Sequence, residues 1–109
     1  MFLIKKQNIS TDCYKDVVRT YLSYITEKYP NLSETAIAEL LRHSVCKSLG
    51  LESKGYDKFI ESNVDSCVKI IRPIFKKYNV LNQDISYKRG MLEACMHCIE
   101  FARKKVHNG

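Results

Sequence analysis

Apolar side chains recur at helical spacing in four separate stretches of this chain. In the first stretch they follow one another at steps of three and four residues, the repeat of one face of an α-helix: Tyr14, Val18, Tyr21, Ile25 and Tyr29. Ser10, Thr11 and Asp12 precede the pattern with oxygens that can cap a helix start. Pro30 follows it and disfavours helical geometry in the residue before it. The pattern predicts a helix over about residues 10–29.

The second stretch begins at Asn31 or Ser33. Asn31 followed by Glu34 resembles a capping box, in which a side-chain oxygen accepts a bond from the first turn. Gly50 is placed as the glycine that follows a helix end. The predicted inner face between these limits holds six residues: Ile37, Leu40, Leu41, Ser44, Val45 and Leu49. We predict one continuous helix to residue 49, because no turn residue of a helix-turn-helix motif interrupts 38–45.

The third stretch runs from about residue 56 to residue 78. Its core stripe is regular throughout: Ile60, Val64, Cys67, Ile71, Phe75 and Tyr78. Pro73 lies inside this stripe, and a proline within a helix removes one hydrogen bond and clashes with the preceding turn. We therefore expect either a kink near Arg72 or a break into two helices.

The fourth stretch, from about residue 84 to residue 106, is apolar around most of its circumference. Its stripe holds Leu92, Cys95, Ile99, Ala102 and Val106. Between Met91 and Ala102 only Glu93, His97 and Glu100 are polar. Such a helix is buried on several sides, either by the chain's own core or by a partner such as a second copy. In the second case we expect the interface at Gly90, Ala94 and Phe101.

These four stretches predict an all-α, single-domain four-helix up-down bundle over residues 1–109, with consecutive helices as antiparallel neighbours. A length of 109 residues corresponds to one domain. The composition is 45% hydrophobic and 28% charged, with four glycines and two prolines. It excludes a collagenous or disordered chain, and it makes a turn-rich β-sandwich improbable.

Positive charge is concentrated around the predicted junction of the third and fourth helices. The chain carries 18 Lys and Arg against 12 Asp and Glu, a formal charge of +6. From residue 69 to residue 89 one acid, Asp84, accompanies six cations, which we call the basic patch: Lys69, Arg72, Lys76, Lys77, Lys88 and Arg89. Tyr78 and Tyr87 are interleaved with them as possible stacking partners.

The helix dipole offers a structural explanation for part of this patch. Cations in a last turn are favoured by about 0.3–1 kcal/mol each, which accounts for Lys76 and Lys77. The same effect disfavours Lys88 and Arg89, because both lie in a predicted first turn. We therefore expect the patch and its two tyrosines to bind an anionic partner, either a nucleic acid or an acidic protein.

The five cysteines offer one arrangement with metal-ligand spacing. His43 and Cys46, together with Cys95 and Cys98, supply the four soft ligands of a tetrahedral zinc site. Helical projection places the first pair on an outer face and the second pair in an apolar arc, so the two pairs do not converge. We expect free thiols, with Cys46 the most exposed, and neither metal nor cofactor. A redox role for Cys95 and Cys98 is a weaker alternative, since the motif lies mid-helix.

The sequence carries no enzyme signature, no apolar run long enough to span a membrane and no secretory leader pattern. We therefore expect a non-enzymatic cytoplasmic protein without membrane association. The leading hypothesis is a small regulator or inhibitor that binds an anionic macromolecule, either nucleic acid or an acidic, nucleic-acid-handling complex. The alternative is a protein–protein module, an immunity-type inhibitor or an obligate dimer, that uses the apolar fourth helix.

Overall fold

The computed structural model describes the backbone of residues 9–108 and the side chains of residues 9–103. Four helices make up most of this part, and it contains no strand. They are α1 (Thr11–Lys28), α2 (Glu34–Leu49), α3 (Lys58–Lys77) and α4 (Ile85–Asn108). The all-α four-helix bundle is therefore confirmed, and the helices lie close to their predicted bounds. Residues 1–8 and residue 109 lie outside the described part of the chain.

Side-chain caps fix where the helices begin. Ser10 Oγ accepts a hydrogen bond from the Cys13 N–H, and Asp57 Oδ1 accepts one from the Ile60 N–H. At the start of α2 the cap is Ser33, whose Oγ accepts from the Ala36 N–H at 3.1 Å. The capping box at Asn31 is therefore wrong, because the helix begins two residues later than that box requires. Gly50 ends α2 in the left-handed conformation, with φ +77°, as predicted.

Most residues of the predicted stripes lie in the core. In the α4 stripe Cys95 and Ile99 are buried and Leu92 and Ala102 are half-buried, whereas Met91, which was not predicted in the stripe, is buried. Five of the six stripe residues of α3 are buried, and Tyr78 is half-buried. The largest fully buried side chains come from each of the helices and from the segment between α3 and α4: Tyr21, Ile25, Leu40, Leu41, Ile71, Phe75, Val80, Met91 and Ile99. Val106 is part of the predicted α4 stripe, but its side chain lies outside the described residues. The apolar periodicity thus indicated most of the buried residues correctly.

The pairing of the helices is partly sequential. α2 packs on α3, as predicted for consecutive helices, and both α1 and α2 also pack on α4. α4 is therefore buried from two sides within the monomer, which explains its wide apolar surface. α1 packs on α3, and contacts at both ends make these two helices antiparallel: Tyr78 reaches Asp16, and Tyr29 reaches Asn63. In an up-down bundle α1 and α3 would run parallel, so the four-helix bundle is present but the predicted antiparallel order of all consecutive helices is wrong.

Asn63 is a polar contact point between α1 and α3. It is 5% exposed, and its Oδ1 accepts hydrogen bonds from Tyr29 Oη at 2.8 Å and from Lys28 Nζ at 3.3 Å. Its Nδ2 donates to the Phe59 carbonyl oxygen at 2.8 Å. Both the oxygen and the nitrogen of this buried amide are thereby hydrogen-bonded. This residue fixes the end of α1 against the first turns of α3.

The chain does not break at Pro73. α3 is one continuous helix over Lys58–Lys77, with Pro73 exposed in its last two turns. Because proline has no N–H, Pro73 cannot donate the helical hydrogen bond to the carbonyl oxygen of Lys69. Lys69 is exposed, so water can reach this part of the helix. The kink near Arg72 stays a prediction.

Candidate functional site

Three cations of the basic patch border a groove along α3. The groove has a volume of about 420 Å³, and six residues line it: Val68, Lys69, Arg72, Pro73, Lys76 and Leu81. We call it the α3 groove. Lys69, Arg72 and Lys76 are exposed and lie on one side of the helix, because steps of three and four residues return to the same face. Val68, Pro73 and Leu81 supply the aliphatic part of the groove lining.

The cations of the basic patch make no ion pair with any acid of the described residues. The described residues hold ion pairs between Arg19 and Asp16, between Lys47 and Asp65 and between Arg103 and Glu34, and a contact of 3.2 Å between His43 Nε2 and Glu39 Oε1. None of them uses a residue of the patch. A positive surface whose cations are not in ion pairs can attract an approaching anion.

Lys69 does act electrostatically on one neighbouring acid. The pKa of Asp65 lies below its ordinary value, mainly because Lys47 Nζ donates a hydrogen bond to its Oδ1 at 2.7 Å and attracts its charge. Lys69, one turn further along α3, lowers that pKa to a smaller extent. Asp65 is thus ionised at neutral pH and already paired with Lys47, so it leaves Lys69 available.

The α3 groove includes half of the predicted patch cations. Lys77, Lys88 and Arg89 do not line it. Lys88 is half-buried and Arg89 is exposed, both at the start of α4. Arg89 lies near α2, where its charge opposes the rise that burial causes in the pKa of the Cys46 thiol. The predicted patch is therefore a groove on α3 together with cations at the adjoining start of α4.

The two tyrosines of the predicted site are engaged within the fold. Tyr78 Oη donates a hydrogen bond to Asp16 Oδ2 at 2.8 Å, and this bond, followed by burial and the charge of Asp16, raises the pKa of Tyr78 to about 12. Lys77 Nζ lies 5.4 Å from the centre of the same ring. Tyr87 is half-buried against the core. The hydroxyl of Tyr78 therefore links α3 to α1, a contact across 62 residues that local patterns do not contain.

The predicted α4 interface is split by the fold. A Cβ atom added at Gly90 would lie 2.9 Å from Cδ1 of Ile9, so the space beside this glycine is taken by the chain's own N-terminal segment. Ala94 and Phe101 border a shallow groove of about 380 Å³ between α1 and α4. Phe101 is 67% exposed. The exposed apolar part of α4 therefore lies around Phe101 and away from Gly90.

The expected exposure of Cys46 and His43 is wrong. Each is 2% exposed. The helical projection assumed that α2 buries one face, but α3, α4 and the segment at 50–57 cover it from several directions. The small residues Ser44 and Ser48, both buried, were the signal in the sequence for this close packing. Cys98, half-buried, is the most accessible of the five thiols.

His43 joins α2 to the segment that follows it. Its Nδ1 contacts Ser53 Oγ at 2.7 Å, its Nε2 contacts Glu39 Oε1 at 3.2 Å, and the Tyr56 ring lies 4.6 Å from its own. Both ring nitrogens are thus occupied. Sequence reasoning missed this set, because Ser53 lies in a segment without periodicity. The imidazole is covered by Tyr56, so the arrangement holds segment 50–57 against α2.

The thiols of the core are protonated at neutral pH. Burial, and to a smaller extent the charge of Asp16, raise the pKa of Cys13 to about 12, and burial also raises the pKa of Cys95. Thiolates are the form that binds metals and attacks disulfides. In the part of the chain that the structure describes, no three His, Cys, Asp or Glu side chains are grouped closely enough to hold a metal ion.

Comparisons with known proteins add no family to these observations. No protein-family model, curated protein sequence or solved structure matches the chain. Within the described residues, none of the helices combines the length and the apolar character needed to cross a membrane.

Proposed function

We propose that this protein is a small, non-enzymatic regulator or inhibitor that binds an anionic macromolecule through the basic patch. The observation that carries the proposal is the absence of ion pairs between the six patch cations and the acids of the described residues. The helix dipole favours Lys76 and Lys77, which lie in the last turn of α3, but it does not favour the other four cations. An anionic partner supplies the counter-charge that the described fold does not.

Lys88 and Arg89 give the proposal additional support. They are the fourth and fifth residues of α4, and the helix dipole disfavours positive charge by about 0.3–1 kcal/mol in the first turn, which Lys88 ends, and by less at Arg89 just beyond it. Asp84 partly offsets this cost, because its Oδ1 accepts a hydrogen bond from the Tyr87 N–H. Two adjacent cations that oppose the stability of their own helix are explained more readily by binding than by folding.

The test is retention of the protein by heparin, a general polyanion, at increasing salt concentrations. The double variant Lys88→Glu, Arg89→Glu should bind at least about tenfold more weakly at low salt, and its affinity should depend less on salt. Because the reversed charges agree with the dipole of α4, lost binding cannot be attributed to a weakened helix. Lys54→Glu, Lys58→Glu makes the same change of charge elsewhere on the surface and is the control. Equal losses in both variants, or no binding of the unaltered protein at low salt, would refute the proposal.

A protein–protein module using α4 is the second proposal. Among the large hydrophobic residues whose side chains the structure describes, Phe101 is the most exposed, and it borders two grooves between α1 and α4. An exposed aromatic ring beside an apolar groove is typical of an interface anchor. Light scattering tests the dimeric form: the unaltered protein should have twice the monomer mass and Phe101→Glu the monomer mass. A monomer at all concentrations would exclude a homodimer.

A further inference from the structure

The α3 groove combines two surface properties that different anionic partners use differently. Three cations line it, Lys69, Arg72 and Lys76, which we call the rim, together with three aliphatic residues, Val68, Pro73 and Leu81, which we call the floor. Charge alone attracts any polyanion, whereas an aliphatic floor favours only a partner that has apolar groups to bury. The aliphatic lining of the groove therefore indicates the class of partner more narrowly than the net charge does.

We infer that the α3 groove binds an acidic amphipathic α-helix of a protein partner, with carboxylates against the rim and aliphatic side chains against the floor. This inference rests on the proposed function and specifies the partner class. Its basis is complementarity: the groove carries positive charge beside aliphatic side chains, and an acidic amphipathic helix presents negative charge beside an aliphatic strip.

The spacing of the rim cations matches a helix. Lys69, Arg72 and Lys76 follow steps of three and four residues, so they span about 10 Å, or two turns, at 1.5 Å per residue. Carboxylates placed at the same steps on a partner helix repeat over the same distance. Arg72, in the middle of the row, can donate two hydrogen bonds from the fork of its guanidinium to one carboxylate. The row therefore fits three acids on consecutive turns of one helix.

The floor disfavours a single-stranded nucleic acid as the occupant. Proteins that bind single strands without sequence preference stack bases on aromatic rings. Of the described residues that line the groove, none is aromatic. Of the two nearest rings in the sequence, Phe75 is fully buried in the core, and Tyr78 directs its hydroxyl to Asp16 on α1. The phosphates of a nucleic acid supply charge, but its sugars and bases have no branched aliphatic side chain like leucine to pack on Val68 and Leu81.

The experiment measures the fluorescence anisotropy of three labelled probes of equal negative charge. The first is an amphipathic helical peptide with glutamates at steps of three and four beside a leucine stripe. The second is the same peptide with its leucines replaced by serines, and the third is a single-stranded oligonucleotide. We expect the first probe to bind roughly tenfold more tightly than either of the others. Equal binding of the first two, or tighter binding of the oligonucleotide, overturns the inference.

Two protein variants locate the contact. Leu81→Ser removes a half-buried leucine from the groove floor and should weaken the first probe roughly tenfold while leaving the serine probe unchanged. Leu51→Ser removes a half-buried leucine that follows α2 and does not line the groove, and it should leave the binding of both peptides unchanged. Equal effects of the two variants on the first probe contradict the assignment. Thermal unfolding of each variant, followed by circular dichroism, identifies any variant that is unfolded. In that case the binding of the three probes to the unaltered protein tests the inference.

The outcomes separate this inference from the proposed function. If heparin binds through the patch but the leucine and serine peptides bind equally, the proposed function stands and the helical partner is refuted. If heparin does not bind at low salt, the proposed function fails. Binding of the leucine peptide that survives both high salt and the variant Arg72→Gln refutes the role of the rim cations in holding the partner's carboxylates.

Discussion

The contact between Asn63 and the end of α1 predicts a measurable loss of stability in Asn63→Ala. The substitution removes three hydrogen bonds, to Tyr29 Oη, Lys28 Nζ and the Phe59 carbonyl. A typical hydrogen bond contributes about 0.5–1.5 kcal/mol net, and the exposed Lys28 contact adds little. Alanine returns up to about 0.7 kcal/mol through its higher helix propensity. We therefore expect a net loss of about 1–2 kcal/mol.

The assay is urea unfolding followed by far-ultraviolet circular dichroism. Ser62→Ala is the matched control, because Ser62 is the exposed neighbour and its hydroxyl donates only to the Lys58 carbonyl of its own helix. It should change the free energy of unfolding by no more than about 0.5 kcal/mol. A double-mutant cycle with Tyr29→Phe cancels the propensity change and should give a coupling of about 0.5–1.5 kcal/mol. A coupling of zero would refute the account of how α1 is held against α3.

Three further predictions address the caps, the thiols and a buried hydroxyl contact. Ser33→Ala should lower the free energy of unfolding by about 1 kcal/mol in urea, whereas Asn31→Ala should have no effect, and the reverse order would contradict the assigned start of α2. In the native protein a thiol reagent should modify Cys98 first, because the other four thiols are buried, and Cys98→Ser should abolish the fast phase of the modification reaction. A fast phase that persists in this variant would show that a buried thiol is accessible. Because the pKa of Tyr78 is raised to about 12 from an ordinary value of about 10, its bond to Asp16 stabilises the fold fully below pH 10 and less as the pH rises towards 12. The free energy of unfolding, measured in urea, should therefore fall less between pH 10 and pH 12 in Tyr78→Phe than in the unaltered protein. An equal fall in both proteins would contradict the assignment.

The helices and their buried faces were predictable because they depend on local order. The stripe from Ile60 to Phe75 follows from steps of three and four residues, and Gly50 follows from the chemistry of a helix end. The burial of His43 and Cys46 was not predictable by projecting one helix, because it depends on how many neighbours cover α2. The side chain that caps α2 was ambiguous for a different reason: Asn31 and Ser33 are both good caps, and only the turn at 29–33 selects one.

The candidate site was predictable as a segment but not as a surface. The excess of cations between Lys69 and Arg89 is visible in the sequence. The α3 groove is not, since its floor combines Val68 of α3 with Leu81 of the connection to α4. The distance in sequence between Tyr78 and Asp16 likewise hid the hydroxyl contact that occupies one predicted binding residue.

Backbone amide chemical-shift mapping tests the central claim most directly. Titrating the labelled protein at low salt with the amphipathic acidic peptide should move the resonances of residues 68–81 and 87–90, and the shifts should reverse when salt is added. Residues 52–58 and the surroundings of Phe101 should stay unchanged. If the largest changes instead surround Phe101 and Lys15, between α4 and α1, the binding surface is the α4 face and the basic patch is not the site.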